Sequence, residues 1–146
     1  MRDISQKSSW NYASAPENTD HIVLQEQYDL FINGEFIKSD SRKYFKSINP
    51  ATGEVIASIS EANKNDVDLA VVSARKAFKS WSKIEPKERA KYIFRIARMI
   101  QERAKEFAII ESIDGGKPIR ESRDVDIPLA ASHFFYYAGW ADKLEY

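Results

Sequence analysis

Short apolar runs separated by turn residues occupy the stretch from Tyr28 to Ser60. Asn33-Gly34 lies between two such runs and is a strong hairpin signal, because both residue types tolerate positive φ. Two further runs predict strands at 44–48, ending at Asn49-Pro50, and at 54–60. We therefore predict a small meander of about four strands. One face of such a sheet has to be covered by other elements.

Beyond this stretch the apolar residues recur at three- and four-residue steps, which is typical of amphipathic helices. The first predicted helix takes Asn65 as its N-cap and runs to Trp81 with a single apolar stripe. Pro86 suits the first turn of a second helix, whose stripe continues to Glu111. This helix must end near Gly115-Gly116, because glycines permit the left-handed cap.

The last predicted helix is dense in aromatic residues. Asp126 is its expected N-cap and Pro128 lies in its first turn, where a missing N–H does no harm. Its aromatic side chains, from Phe134 to Trp140, point in several directions, which indicates a helix surrounded by protein. The upstream elements look too small to surround it. The pattern therefore indicates an incomplete domain.

Composition narrows the class of protein. The 146 residues carry 22 Lys plus Arg and 22 Asp plus Glu, and this neutral balance argues against nucleic-acid binding. Cysteine is absent, which excludes a disulfide, a thiolate metal site and a cysteine nucleophile within the chain. No apolar run approaches the roughly 20 residues that span a bilayer. With no apolar signal core at the N-terminus, we expect a soluble cytoplasmic protein without membrane partners.

The polar stretch 1–27 is predicted to be an arm that precedes a domain at 28–146. Trp10 and Tyr12 either pin the arm onto a neighbouring surface or are incidental aromatics of a loose tail.

Candidate chemistry is sparse. Asp114-Gly115-Gly116-Lys117 lacks the spacing of a phosphate loop and follows a helix, so a helix stop is the better interpretation. His21 and His133 lack companion ligands at metal spacing. Asp124 and Asp126 form no evident catalytic pair, because capping and charge pairing explain them.

The seven basic residues between positions 87 and 105 are spread around the second helix, and we interpret them as a solvated face rather than a nucleic-acid groove. Residue chemistry alone yields no catalytic constellation.

Six motifs nevertheless occur together in order: FINGEF, INPATGEVI, DVDLAVVSARKAFKSW, RIARMIQER, DGGKPIRES and FFYYAGWADK. As a set they resemble the N-terminal portion of the NAD(P)-dependent aldehyde dehydrogenase superfamily. The resemblance runs from about Trp10 onward, and the front arm looks most like a bacterial branch of the family. Gly115 departs from the pattern, because many members carry asparagine before Gly-Lys-Pro.

The resemblance implies an α/β fold, more narrowly an α+β fragment. Its meander and helices would form the outer part of the cofactor-binding domain, without the dinucleotide-binding core. Family chemistry is attack of a cysteine thiolate on the aldehyde, hydride transfer to NAD or NADP, and hydrolysis of the thioester. The motifs that perform these steps do not occur in this chain, and the lack of cysteine confirms one of these losses independently. No catalytic or cofactor-binding residue, and no cofactor bound by this chain alone, is therefore expected.

Two sets of local residues carry over from the resemblance. Ser47, Ile48 and Asp114 match positions that hold a structural monovalent cation in some relatives, although an aspartate at a helix end is also commonly just hydrogen-bonded. Val125, Leu129 and His133 match a helix that lines the aldehyde entrance tunnel, and plain core packing is an equal alternative.

The leading hypothesis is a fragment of an aldehyde dehydrogenase, inactive alone, whose parent is a homo-oligomer that oxidises aldehydes to carboxylic acids. The alternative is a non-catalytic interaction module that docks on a full-length aldehyde dehydrogenase. An independent small helical binding domain explains the periodicities but not the ordered motifs. The preferred aldehyde and the choice between NAD and NADP are not encoded in these residues.

Overall fold

The computed structural model describes residues 22–143, which form short strands followed by helices. Trp10, Tyr12 and His21 lie outside this range, as does Tyr146. The strands are β1 (Gln27–Tyr28), β2 (Leu30–Ile32), β3 (Glu35–Ile37), β4 (Tyr44–Ile48) and β5 (Val55–Ser60). The helices are α1 (Lys64–Trp81), α2 (Pro86–Glu102), α3 (Ala104–Gly115), α4 (Ile119–Glu121) and α5 (Ile127–Trp140), with a π-helical turn (Ser122–Asp126) between the last two. The result is a small α/β structure, as predicted.

The strands form two separate sheets rather than the predicted meander. The hairpin β2–β3 is confirmed, with Asn33 at φ 58° and Gly34 at φ 86° in its turn. Strands β4 and β5 were also predicted, but they belong to a different sheet, of order β1-β5-β4. In that sheet β1 runs parallel to β5. The predicted meander was wrong because β1 pairs in parallel with β5, which is distant in sequence. The alternation of apolar and polar residues within a strand does not indicate which strand it pairs with.

Helix α1 begins two residues earlier than predicted, with Asn63 and not Asn65 as its N-cap. Asn63 Oδ1 accepts from the Asp66 N–H at 3.1 Å, and Asp66 Oδ2 accepts from the Asn63 N–H at 2.8 Å. This reciprocal pair is a capping box and satisfies two N–H groups at the helix start. Buried Ser39 donates its hydroxyl hydrogen to Asp66 Oδ2 at 2.6 Å, which ties the chain after the hairpin to α1.

The single helix predicted from Pro86 to Glu111 is two helices. The chain turns at Arg103, whose φ of −107° and ψ of 19° lie outside the helical region. The Arg103 guanidinium binds Glu106 through two hydrogen bonds of 2.8 and 2.6 Å. The apolar period continues across this turn, so periodicity alone could not locate it. The predicted end near Gly115-Gly116 is confirmed, because Gly116 is the C-cap of α3 at φ 69°.

Asp126 does not cap the last helix, contrary to the prediction. It has helical φ and ψ of −65° and −52° and makes no capping hydrogen bond, because helical structure already begins at Ile119. The Ile127 N–H donates to the Ser122 carbonyl, five residues earlier, which widens the helix into a π turn. Pro128 follows at once, and a proline cannot donate to the carbonyl four residues before it and crowds that group. The wider turn accommodates both effects.

The interior consists largely of alanine. Ala97 of α2 is 0% exposed, and Ala131 and Ala138 of α5 are 1% and 3% exposed, so these two helices approach closely. Ile109 of α3 is the largest core side chain that is fully buried among residues 22–143. Larger apolar residues stay exposed, including Leu129 and Tyr137 on α5. Among these residues no helix is long and apolar enough to cross a membrane.

Candidate functional site

The structure brings the predicted cation-site residues of β4 and α3 together. The Ser47 hydroxyl donates a hydrogen bond to Asp114 Oδ1, a contact between positions 67 apart in sequence. At Ser47 and Ile48 the pairing of β4 with β5 shifts register, so the ladder is irregular here. Ile48 itself is 51% exposed. The Ser47–Asp114 contact therefore joins the end of β4 to the last turn of α3.

The glycine turn after Asp114 serves as a helix stop. The Gly116 N–H donates to the Ser112 carbonyl at 3.1 Å, and a Cβ on Gly116 would lie 3.1 Å from the Pro50 ring. The Gly116 N–H therefore already has a hydrogen-bond acceptor, and the side of Gly116 where a Cβ would stand faces the Pro50 ring. A phosphate loop needs free N–H groups that converge on the ligand, so this turn does not fit a dinucleotide phosphate.

Lys117 connects this turn to the π turn. Its ammonium pairs with the carboxylate of Asp126, and the hydrogen bond to Asp126 raises the pKa of Lys117 above its usual value. Nearby, the Ser112 hydroxyl donates to the fully buried Ser122 hydroxyl at 3.3 Å. Neither link was predicted from the sequence. The sequence contains Lys117 and Asp126, but whether they form an ion pair depends on the helical segment between them.

The proposed tunnel residues follow one another along the last helical segment. Val125 lies in the π turn and is 55% exposed, Leu129 is 50% exposed, and His133 is exposed one turn further on. Steps of four residues keep side chains on neighbouring parts of a helix surface. None of the three is buried, so plain core packing does not describe them within the described chain. Exposed Tyr136 extends the same helix with further aromatic surface.

The side-chain groups that could bind a cation at the Ser47–Asp114 junction are both oxygens, one carboxylate and one hydroxyl. A set with a single negative charge suits a hard monovalent cation better than a divalent one, which usually recruits more carboxylates. Between positions 22 and 143 no group of three or more His, Cys, Asp or Glu side chains could hold a metal ion. The residues present therefore fit a monovalent cation, and also fit a simple hydrogen bond.

Comparison with known proteins gives one consistent result. The model of the aldehyde dehydrogenase family matches residues 36–146. The chain is 49% identical over 117 residues to aldehyde dehydrogenase family 2 member C4 of Arabidopsis thaliana, covering 79% of this chain and 23% of that relative. It is 46% identical over 123 residues to an aldehyde dehydrogenase of Alternaria alternata, covering 84% of this chain and 25% of that protein.

Solved structures agree. The NAD+ complex of the aldehyde dehydrogenase from Bacillus cereus superposes with a TM-score of 0.79 at 41% identity, over 82% of this chain and 25% of that one. An indole-3-acetaldehyde dehydrogenase complexed with NAD+ gives 0.80 at 35% identity, over 84% of this chain and 25% of that one.

The chain thus spans about a quarter of the length of the curated relatives it matches. These include a plant and a fungal protein, so assignment to a bacterial branch stays a prediction. A family model that covers most of the chain, and relatives that share both its sequence and its backbone, show that this chain belongs to the aldehyde dehydrogenase family.

Proposed function

We propose that this chain is the N-terminal portion of an enzyme that oxidises aldehydes to carboxylic acids with NAD or NADP. The observation that carries this proposal is the match of its fold, at 41% identity, to a quarter of an aldehyde dehydrogenase with bound NAD+. In the complete enzyme the dinucleotide accepts the hydride. The turn at Gly116 does not fit that cofactor, because the ring of Pro50 lies against it.

We further propose that the chain alone has no dehydrogenase activity. Covalent catalysis on an aldehyde requires an activated nucleophile, and the family's is a cysteine thiolate. The chain contains no cysteine. Its role is to build and position a wall beside the catalytic apparatus rather than to supply a reacting group.

Part of that wall is the exposed side of the last helical segment. Val125, Leu129 and His133 offer two aliphatic side chains and one imidazole at successive turns. In the complete enzyme these side chains face the aldehyde as it enters. Their half-exposed state here supports the assignment, because a tunnel wall needs side chains that their own domain leaves uncovered.

A second structural role belongs to the Ser47–Asp114 junction, where we place a monovalent cation held by Asp114 and by the backbone oxygens of Ser47 and Ile48. The cation would tie the irregular end of β4 to the end of α3. No catalytic step passes through it.

Activity is tested with the purified chain, an aliphatic and an aromatic aldehyde, and each dinucleotide, following absorbance of the reduced cofactor. We expect no rate above that of the buffer. Turnover that survives repurification would contradict the claim of inactivity. Sequencing the DNA beyond codon 146 tests the parental function separately: a continuing frame with a cysteine motif supports it, and an unrelated gene argues against it.

The cation is tested by hydrogen exchange of the amides from 112 to 118, comparing K+ with a bulky organic cation at equal ionic strength. Exchange should be slower in K+, and Asp114→Asn should remove the difference. The control Asp142→Asn changes a carboxylate beyond α5 and should leave the K+ effect intact. Identical exchange in both salts would assign the junction to hydrogen bonding alone.

The exposed aromatic side chains of α5 favour one alternative, a non-catalytic module that docks on a full-length aldehyde dehydrogenase. Tyr137 is 63% exposed and Trp140 is 44% exposed, and both rings lie against the ring of Tyr136. A contiguous patch of this kind marks an interaction surface. Tagged chain expressed in its host should then co-purify with the enzyme at a fixed ratio. Recovery of the tagged chain by itself would rule the module out.

A further inference from the structure

Helices α2 and α5 flank an open surface groove of about 490 Å³, lined in part by Phe94 and Phe135. The two rings meet edge to face, with centroids 4.9 Å apart and planes 68° apart. Ala138 and Gly139 complete the floor on the α5 side, and the absence of large side chains there keeps the groove open. We call this feature the α2–α5 groove. It shares no residue with the Ser47–Asp114 junction or with the proposed tunnel wall.

The rim of the groove is basic. Lys91, Arg95 and Arg98 all line it, because positions spaced by four and three residues lie on one side of a helix. The sequence interpretation, in which the basic residues of this helix are spread around it, was therefore incomplete. Three of them converge where α5 packs against α2.

The charges on this rim are only partly neutralised. Lys91 pairs with Glu88 at 2.6 Å, and Arg98 reaches Glu102 at 3.6 Å. Within residues 22–143, the Arg95 guanidinium makes no hydrogen bond and no ion pair with another side chain or with the backbone. A guanidinium beside an apolar floor and without a protein partner suits an anionic ligand group, because its planar fork matches a carboxylate.

We propose that the α2–α5 groove binds a small organic anion with an apolar body, of the class of medium-chain aliphatic carboxylates. The carboxylate would pair with Arg95, flanked by Lys91 and Arg98. The alkyl chain of the ligand would lie on the Phe94 and Phe135 rings. The volume lies within the range of about 300–1,000 Å³ that small-molecule pockets occupy.

Two competing ligands fit less well. Single-stranded nucleic acid needs aromatic faces on which successive bases stack, and here the two rings pack against each other instead. The chain is also neutral overall, with 22 basic and 22 acidic residues. An uncharged lipid would leave the three basic groups unused.

Gly139 provides a steric test. A Cβ built on it meets no atom within 4 Å, so a larger side chain would extend into open space without displacing the fold. Gly139→Leu should therefore fill the groove and leave its charges unchanged. Replacing a helical glycine by leucine also raises helix propensity, so α5 should stay folded in this variant.

The probe is decanoate, measured by equilibrium dialysis against the full chain below the concentration at which decanoate forms micelles. Decanol and decylamine, of equal chain length, report the contribution of the head group. Decanoate should bind at least about fivefold more tightly than either, the effect of one modest ion pair. Equal affinity for decanol would overturn the proposal, because it would reduce the site to general apolar adsorption.

Variants locate the binding. Arg95→Gln should weaken decanoate binding about fivefold and leave decanol unaffected, since only the charged contact is lost. Lys79→Gln removes a positive charge from the exposed end of α1 and should change neither decanoate binding nor decanol binding. Gly139→Leu should abolish the decanoate-specific component. If Arg95→Gln and Gly139→Leu both bind decanoate as the parent chain does, the groove is not the site.

Discussion

Gly116 is the position where one added methyl group should disturb the fold most clearly. Its φ of 69° lies in the left-handed region, and a Cβ there would approach the Pro50 Cβ and Cγ to 3.1 Å. Gly116→Ala therefore combines two effects, an unfavourable backbone conformation and a contact with a rigid ring. Both act at the point where the end of α3 meets the turn after β4.

The two contributions can be estimated separately. A non-glycine residue in the left-handed conformation costs roughly 1–2 kcal/mol. A contact that requires a rigid neighbour to move by a few tenths of an ångström adds about 1–2 kcal/mol, at the low end of the overpacking range. The sum of about 2–4 kcal/mol corresponds to roughly a 30- to 700-fold rise in the population of locally opened molecules.

Hydrogen exchange measured by mass spectrometry is the suitable assay, because it reports local opening without requiring a single cooperative melt. Gly116→Ala should accelerate exchange across α3 and β4. The chain offers two matched controls. Gly53 has a φ of 75° but no atom within 4 Å of its Cβ position, so Gly53→Ala isolates the conformational cost. Gly115 has no positive φ and only a 3.9 Å contact to a Glu111 oxygen.

We expect Gly53→Ala to cost about 1–2 kcal/mol in its own turn, and Gly115→Ala to be neutral or to stabilise α3 by up to about 1 kcal/mol. The order of effect should be Gly116 above Gly53 above Gly115. If Gly116→Ala and Gly53→Ala have equal local effects, the Pro50 contact contributes nothing. If Gly115→Ala proves the most damaging, the assignment of the helix stop to Gly116 is wrong.

Three other predictions follow from burial and charge. Hydrogen bonds, the strongest from the Asn63 backbone, hold the pKa of Asp66 below its usual 3.8. The stabilisation of the fold by ionised Asp66 is therefore present above pH 3.8 and is lost as the pH falls through the lower pKa of the folded state. An acid titration by far-UV circular dichroism should therefore lose its lowest-pH transition in Asp66→Asn and keep it in Asp124→Asn, whose ion pair is exposed; the reverse order would contradict this reasoning. Along α5, Leu129→Ala should change stability by less than about 0.5 kcal/mol, and Ala131→Leu should cost about 1–3 kcal/mol, as read by hydrogen exchange; equal effects would refute the observed burial. The isolated chain should bind a hydrophobic dye and be aggregation-prone, because its apolar side chains stay exposed, and a sharp cooperative melt of a soluble monomer would refute this.

Local chemistry accounts for the parts of the fold that were predicted correctly. The hairpin depends on Asn33-Gly34, two adjacent residues that accept positive φ. The end of α3 depends on Gly116, and the start of α2 on Pro86. Each of these signals acts within a few residues, so each is legible in one stretch of sequence.

The predictions that failed concern positions where side-chain contacts decided between two local alternatives. The N-cap of α1 is Asn63 and not Asn65, because the buried Asp66 carboxylate accepts hydrogen bonds from the Asn63 N–H and from the Ser39 hydroxyl. Asp126, expected as a cap, lies inside a continuous helical segment and pairs with Lys117. The local sequence permitted both alternatives, and the tertiary contacts selected one.

The aromatic helix shows the division most clearly. Its sequence by itself determined that it is helical, that it carries apolar residues on several sides, and that its motifs are those of the aldehyde dehydrogenase family. Only the tertiary structure decided which side is covered, because alanines at 97, 131 and 138 allow α2 and α5 to approach closely. That packing leaves Leu129 and His133 facing outward and gathers Arg95 with Phe135 in a groove. Which residues share a surface depends on how helices are placed against one another, and no single stretch of sequence encodes that placement.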